Sequence, residues 1–553
     1  MADPAQGEAL ASAARRRPGD GSLVVLALVL LVVLIGVPLV RLLGVAIGGG
    51  VAGVLATLAD PHVGGAIVNS LWTAALVAVL AVSAGTATAL ATERGGLAGA
   101  GWLRAGILLP LLCPPFVTAF GWTRAYGPRG LADRMFGVEV PGLFGPLGIV
   151  LVLAVAALPL AWLIVAGALA SRVEPDAERA ARASGAGPWM VLGTVTLPLL
   201  RPAILSALVV TFVFAVNAFG VPAILGTPAG FTTITTRLYQ DLARSSDPGL
   251  FAEAGILAAT LVVLAVAVVG PVDAWLTGRP AARTGDSAGG RAGPARQGVW
   301  LRRVGAFGLG SVILLAAVVP LVAVLLTALT RAVGLAPVPA NWTFANFGEA
   351  LGARFADGLV HSVVLAVGAA TIVVPLGALL VVVGRHRGRG RGLLRTASTV
   401  GFALPGSALA IAVLVAYGGW LRDSLAIILI AYVAKLWALG QRQVAGSLDR
   451  LPLDAVRAAR SSGAGPVAAI RTTVVPLLRP SLIAAWLIVF LFALHELTMS
   501  ALLYGPRTAT LSVVVLNAQQ LGDPTVSAAL AVLLVGLIGV VAVPLVLVTR
   551  RWA

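Results

Sequence analysis

Lysine occurs once in the 553 residues, at Lys435, and cysteine once, at Cys113. A single cysteine excludes intrachain disulfides and any cysteine-based metal centre. Lys435 is followed by Leu436, so the Gly-Lys-Ser/Thr of a phosphate-cradling loop is missing and ATP hydrolysis by this chain is excluded. His62, His361 and His386 are scattered without ligand spacing, and no metal centre or cofactor is expected. Charged residues are also scarce, at 11% of the chain. Soluble domains carry roughly 25%. Hydrophobic residues reach 59% and the mean hydropathy is +0.99. This composition excludes a soluble globular protein and implies an all-α integral membrane protein with many spans.

Apolar segments recur near 23–40, 66–91, 103–125, 147–170, 204–226 and 252–276. Each approaches the ~20 residues that cross ~30 Å of hydrocarbon. Arg15-Arg16-Arg17 before the first segment would also suit a signal peptide. The apolar run is longer than such a peptide uses and lacks a convincing small-residue cleavage site, so a retained first helix is expected. Residues 277–305 are polar, basic and rich in Gly, Pro and Ala, the composition of a flexible linker. Spans then resume near 307–328, 359–384, 397–418, 424–441, 481–503 and 526–549. Asn69-Ser70-Leu71 in the second span of the first half is echoed by His361-Ser362-Val363 in the second. The chain reads as a tandem duplication of a six-span unit, about 12 spans in all: a first half over 1–276, a linker over 277–305 and a second half over 306–553.

An even number of spans per half places both termini and the linker on one side of the membrane. That side receives 28 arginines and the other receives 10, while the 22 acidic residues divide evenly. The positive-inside rule makes the arginine-rich side the cytoplasm. The net charge of +17 then needs no nucleic-acid partner.

One polar stretch occurs twice in this apolar chain. Arg179-Ala-Ala-Arg-Ala-Ser-Gly185-Ala-Gly-Pro188 runs on to Leu197-Pro198-Leu-Leu-Arg201-Pro202. Arg457-Ala-Ala-Arg-Ser-Ser-Gly463-Ala-Gly-Pro466 runs on to Val475-Pro476-Leu-Leu-Arg479-Pro480, an ungapped offset of 278. Both copies (174–203 and 450–480) fall in cytoplasmic loops between the fourth and fifth spans. A small-residue helix is expected to end at Gly185-Ala-Gly187, with Pro188 opening a second helix. Leu197-Pro198 and Arg201-Pro202 are expected to turn the chain back into the bilayer. A solvated connector is the plain alternative, but a connector has no reason to keep its sequence across a duplication.

The repeated stretch resembles the EAA loop of ABC-importer permeases, which reads Glu-Ala-Ala, three residues, Gly, nine residues, an aliphatic, one residue, Leu-Pro. Ala180-Ala181, Gly185, Val195 and Leu197-Pro198 match in the first copy, and Ala458-Ala459, Gly463 and Pro476 in the second. Asn217-Ala-Phe-Gly-Val-Pro and His495-Glu-Leu-Thr-Met-Ser look like fifth spans of fused permeases of the ferric-iron type. The resemblance implies the type I ABC importer permease fold and a bacterial inner-membrane location with cytoplasmic termini. It also implies an extracytoplasmic solute-binding protein that delivers cargo, ferric iron foremost, with thiamine, polyamine and phosphonate as rivals. A separate nucleotide-binding ATPase, as a homodimer, would seat the loop's second short helix (about 187–196 and 465–474). The coupling residues so implied are Arg179, Ala180, Ala181, Gly185, Ala186, Gly187 and Pro198, with Arg457, Ala458, Ala459, Gly463, Ala464, Gly465 and Pro476. The family's Glu is replaced by Arg at 179 and 457, which could meet acidic groups on the ATPase or only lipid and water; Glu178 lies one residue earlier in the first copy.

For the translocation path the candidates are Asn217, His495 and Glu496. An ionisable residue at membrane depth is a functional candidate by default, although Glu496 could also simply bond a neighbouring helix near the outer interface. A secondary transporter built from parallel six-span repeats is the other class in play; it would explain the duplication but not the repeated cytoplasmic loop.

Overall fold

The computed structural model describes residues 20–552 apart from 172, 174, 244–247, 278–298, 386–396, 399, 449–457, 460, 464, 466–467 and 469. Among the described residues the chain is helical throughout, with one isolated antiparallel bridge between Thr330 and Trp342. Among the described residues ten helices are long and apolar enough to cross a membrane. The pair Ala100–Leu112 and Pro115–Phe136 reaches that length and hydropathy only together, and is bent by 105°. Gly406–Leu421, where the remaining expected span falls, has only 16 residues and is too short to count alone. Large apolar side chains such as Val25, Val40, Val68, Val263 and Val540 stay exposed on the outer faces of these helices. That is the pattern of a lipid-solvated surface.

In each half the second span (Pro61–Glu93, Ala353–Val383) packs against the fourth (Pro146–Ser171, Leu425–Gly446) and the fifth. Glycine permits the closest approach. A Cβ on Gly85 would lie 2.7 Å from the Ala161 Cβ, and one on Gly377 would lie 2.7 Å from the Gln441 backbone nitrogen. The Asn69-Ser70/His361-Ser362 echo has a structural cause. Ser70 Oγ accepts from Ile234 N at 2.8 Å and Ser362 Oγ from Leu511 N at 2.9 Å. Asn69 Nδ2 donates to the Thr232 carbonyl and His361 Nδ1 to the Ala509 carbonyl, both at 3.0 Å. The second span of each half is thereby tied to the helix before the sixth.

The halves are joined by an exchange of their first spans. The first span of the second half (Arg302–Leu329) lies on the third span of the first half, and Val25–Ala46 lies on Gly406–Leu421. Each first span carries a π-turn, Val32–Gly36 and Leu314–Val318, ending two residues before Pro38 and Pro320. A proline ring collides with the carbonyl four residues back, and a widened turn moves that carbonyl aside. The carbonyls released there face the other half. Trp122 Nε1 donates to the Ala316 carbonyl at 3.1 Å, and Ala316 stands four residues before Pro320. The Tyr126 hydroxyl donates to the Leu315 carbonyl, and the Tyr417 hydroxyl to the Val33 carbonyl. Leu315 and Val33 each stand five residues before their proline.

Two expectations about the spans need correction. The third spans are not continuous: Cys113-Pro114 and Pro405 take extended backbone and interrupt them. The fifth spans start earlier and stop sooner than expected over 204–226 and 481–503. The first is one helix from Pro188 to Val216. It then breaks at 217–219 and resumes as the short helix Gly220–Leu225. The second runs over Arg471–Leu494, breaks at 495–497 and resumes as Thr498–Leu503. Most of the expected linker lies outside the described residues, and the next helix opens at Val299, before the expected start at 306.

The carbonyl pairing makes a prediction. Trp122→Phe should destabilise the purified protein by about 0.5–2 kcal/mol, the range for hydrogen bonds between membrane helices. In a Pro320→Ala background, where residue 320 again supplies an N–H for the Ala316 carbonyl, the same change should cost far less. Equal thermal shifts in the two backgrounds would remove this account.

Candidate coupling loops and translocation path

The first loop opens with the helix Pro175–Ala183. The helix holds small residues and four charged side chains; Arg179, Ala180, Arg182 and Ala183 are exposed, with Ala181 half-buried. The helix closes at Gly185, whose φ of +88° lies in the left-handed region that glycine enters without a Cβ penalty. Gly185 N donates to the Arg182 carbonyl and Ala186 N to the Ala181 carbonyl, both at 3.0 Å, the pair of bonds that closes a Schellman end. Gly187 caps the next helix, Pro188 stands at its first position, and Val191 N donates to the Gly187 carbonyl at 3.0 Å.

That second helix is not a separate piece. It passes through a π-turn at Leu192–Thr196 into the fifth span, so Pro198 and Pro202 lie inside a continuous helix and do not turn the chain. The widened turn again stands just ahead of the proline, and the second copy repeats it with a π-turn at Ile470–Val474 before Pro476. In that copy Gly463 has φ of +85°, and Ser462 N donates to the Ala458 carbonyl at 3.0 Å. Ala458, Gly463 and Gly465 are exposed and Ala459 is half-buried. Arg457 and Ala464 lie outside the described residues.

Glu178 is the residue that reading by motif passed over. It is buried, whereas Arg179, at the family's Glu position, is exposed and pairs with Asp176 one turn back. Glu178 Oε1 accepts from Thr196 Oγ1 at 2.9 Å and lies 3.9 Å from Arg94 Nε; its Oε2 lies 3.7 Å from Arg182. Arg94 ends the second span and also donates to the Val173 carbonyl at 2.9 Å and the Leu169 carbonyl at 3.3 Å. One carboxylate therefore joins the loop helix to the second, fourth and fifth spans. The available signal was an acid one place off the motif, two residues before an alanine pair. A second omission is Trp189 and Met190, which stand 82% and 60% exposed on the first turn of the second helix.

At the other end, the structure places Asn217 and His495 at the breaks that terminate the two fifth spans. Both are half-buried, and each holds a buried atom without a partner, Asn217 Oδ1 and His495 Nδ1. The breaks meet at the junction of the halves: a Cβ on Gly220 would lie 2.5 Å from Phe116 Cβ and 2.9 Å from Leu497 Cδ2. The Ala218 carbonyl, just ahead of the short helix Gly220–Leu225, accepts from Thr235 Oγ1 at 2.8 Å. In the second half Ser500 stands in the place of Pro222, and Glu496 caps its short helix. The Glu496 carboxylate accepts from Met499 N at 2.9 and 3.0 Å and from Ser500 N at 3.2 Å. Tyr432 from the fourth span bonds Ser500 Oγ at 2.6 Å. Lys435, one turn further on, donates to the Leu404 carbonyl at the third-span break and is attracted to the Glu496 charge.

Among the described residues no group of three or more His, Cys, Asp or Glu side chains is arranged to hold a metal ion. The arrangement comprises two loops closed by left-handed glycines and two helices broken within the bundle.

Residues 81–277 and 373–551 each match the family described as the binding-protein-dependent transport system inner membrane component. The chain belongs to that family, with the family unit present twice, and is a multi-pass permease of the ABC-importer class. Among its relatives is the ferric transport system permease protein FbpB of Actinobacillus pleuropneumoniae, 25% identical over 489 residues, 85% of this chain and 69% of the relative. The Fe(3+)-transport system permease protein FbpB 2 of Haemophilus influenzae is 25% identical over 510 residues, 88% of this chain and 91% of the relative. The molybdenum transport system permease protein ModB of Mycobacterium bovis is 34% identical over 227 residues, 39% of this chain and 83% of the relative.

Glu178 can be tested directly. Glu178→Ala should cost on the order of 2 kcal/mol, the scale of hydrogen bonds to a charged group. Amide exchange over 175–196 should rise while that of the distant helix Leu511–Gln520 stays as it was. Unchanged exchange at the loop would show that the carboxylate does not hold it.

Proposed function

We propose that this chain forms the whole membrane pathway of an ATP-driven importer for ferric iron, with one permease half at 1–276 and the other at 306–553. The observation that carries the reading is the equivalence of the two loops: a left-handed glycine at 185 and at 463, each ahead of a fifth span that is entered through a π-turn and a proline. A lever of this form transmits motion from a partner to the spans. The partner is a pair of separate nucleotide-binding ATPase subunits that seat the helices beginning at Pro188 and near Gly465, on the arginine-rich, cytoplasmic side. Trp189 and Met190 supply an exposed apolar contact for that cleft, and Arg179 and Arg457 supply positive charge at its edge. An extracytoplasmic binding protein delivers the cargo at the opposite face. Asn217, His495 and Glu496 line the path, the first two through polar atoms that have no protein partner.

Ferric iron is favoured by relatives that match most of the chain and bear that name. A molybdenum oxyanion is the second reading, favoured by higher identity over a single half. Uptake of radiolabelled ferric iron and of molybdate, in cells expressing the chain with its cognate ATPase and binding protein, separates them. Ferric uptake that requires all three components is expected; molybdate uptake alone would overturn the iron reading.

The loops make a further prediction. Gly185→Val with Gly463→Val should leave the protein in the membrane, because each forced left-handed β-branched residue costs only about 1–3 kcal/mol. Transport should fall at least about tenfold while ATP hydrolysis by the partner persists, since a hinge must take φ that valine resists. Transport at the unaltered rate in the double variant would rule out the hinge.

A further inference from the structure

At the end of the bundle opposite the coupling loops, three arginines converge on a recess of about 40 Å³. Arg124, Arg129 and Arg134 come from the third span of the first half and the loop that follows it. Thr327 and Thr330 come from the end of the first span of the second half, and Thr525 from the start of the last span. The recess therefore lies across the seam where one half's first span rests on the other half.

No acidic side chain lines the recess, and among the described residues none of the three guanidinium groups takes part in an ion pair. Arg124 Nε is buried and has no hydrogen-bond partner. Its guanidinium lies 5.6 Å from the centre of the Phe120 ring and close enough to Arg134 for the two charges to repel. Arg134 gives one N–H to the Leu335 carbonyl. The nearby Asp133 carboxylate accepts from the Arg129 backbone N–H at 2.9 Å and, among the described residues, makes no ion pair with the three guanidinium groups. The three hydroxyls are committed elsewhere: Thr327 donates to the Ala323 carbonyl at 2.7 Å, Thr330 to the Leu326 carbonyl at 2.6 Å, and Thr525 to Asp523 Oδ1 at 3.1 Å. What the recess offers is positive charge and arginine N–H groups. Holding three such charges together at the edge of a membrane is unfavourable unless an anion joins them.

We infer that this recess binds one phosphate group, gripped by Arg124, Arg129 and Arg134 across the seam between the halves. Arginine forks match the oxygens of phosphate geometrically and form the stronger, charge-assisted bonds. On the same measure one water needs about 10–15 Å³, so the recess admits the phosphate oxygens and leaves the bulk of a larger ligand outside. Around the recess Met135, Phe136, Trp342 and Phe344 stand 42–77% exposed, the aromatic and apolar fringe found at a membrane–water boundary. An anionic phospholipid headgroup and free inorganic phosphate share the chemistry; the fringe favours the lipid, whose chains it would cover.

Native mass spectrometry and thermal unfolding of the intact purified chain test this, with phosphatidylglycerol, phosphatidylcholine and inorganic phosphate as probes. Arg124→Gln/Arg129→Gln is the main variant, and Arg129→Gln alone, at an exposed position, guards against a folding defect. Phosphatidylglycerol should be retained in preference to phosphatidylcholine and should raise the unfolding midpoint. Both effects should weaken about tenfold in the variants, the scale of a lost charge-assisted bond. Stabilisation by inorganic phosphate alone, abolished by the same variants, would keep the site and assign it to the free anion. Equal binding of all probes by the unaltered chain and Arg129→Gln would overturn the proposal. The readouts need neither transport nor an ATPase, so failure here is separable from failure of the importer reading.

Discussion

Inside hydrocarbon, every backbone carbonyl must find a donor within the protein, because water is not there to supply one and an unsatisfied group costs several kcal/mol. This chain places prolines in its spans and thereby releases carbonyls at fixed positions. Much of its tertiary structure consists of answers to those vacancies. Pro320 releases Ala316, which Trp122 satisfies from the other half; the break at 217–219 leaves Ala218 open, which Thr235 satisfies. The exchange of first spans is thus a polar registration as well as apolar packing. Apolar surface alone could not specify it, since lipid solvates Val and Leu as well as a neighbouring helix does.

The same bonds make the two halves alike without making them identical. Tyr126 and Tyr417 reach corresponding carbonyls, and Ser70 and Ser362 tie corresponding helices. Charge, by contrast, is distributed unequally. Lys435 and Glu496 occupy the second half, while their counterparts in the first half, at offsets of 279 and 278, are alanines. Glu178 occupies the first half, with Val456 as its counterpart. An importer working by rigid rocking of two halves needs equivalent levers, the role proposed here for the two glycine-hinged loops. It does not need an equivalent lining, and the path proposed here carries its ionisable groups on one side.

The lever has a traceable route to the membrane. Motion applied to the helix that begins at Pro188 passes along an unbroken helix to Val216, where the break at Asn217 begins. Glu178 couples the preceding helix to the same π-turn through Thr196, and to the second and fourth spans through Arg94. A continuous helix transmits displacement more directly than a hairpin turned by two prolines would. The π-turn makes this continuity possible by accommodating Pro198 within the helix.

Composition and periodicity alone determined the class: an all-α membrane protein, duplicated, with arginine on one face. The repeated Arg-Ala-Ala…Gly stretch alone located both loops, and the Asn69-Ser70 echo marked a real pair of contacts. These were legible because hydropathy and small-residue motifs are local properties, written in consecutive residues. The breaks at Pro114, Pro405, Asn217 and His495 were not legible, because proline inside an apolar run is compatible with a kinked span, a π-turn or an interruption, and neighbouring helices decide among them. Pro198 and Pro320 stay inside their helices, whereas Pro114 does not. Glu178 could not outrank Arg179 by motif, since a shift of one residue turns a helical side chain by about 100° and only the packed structure shows which of the two faces inward. The arginine recess is likewise a product of tertiary structure, assembled from segments some 200 residues apart. Local chemistry chose the elements, and the need to satisfy each buried polar group chose how they meet.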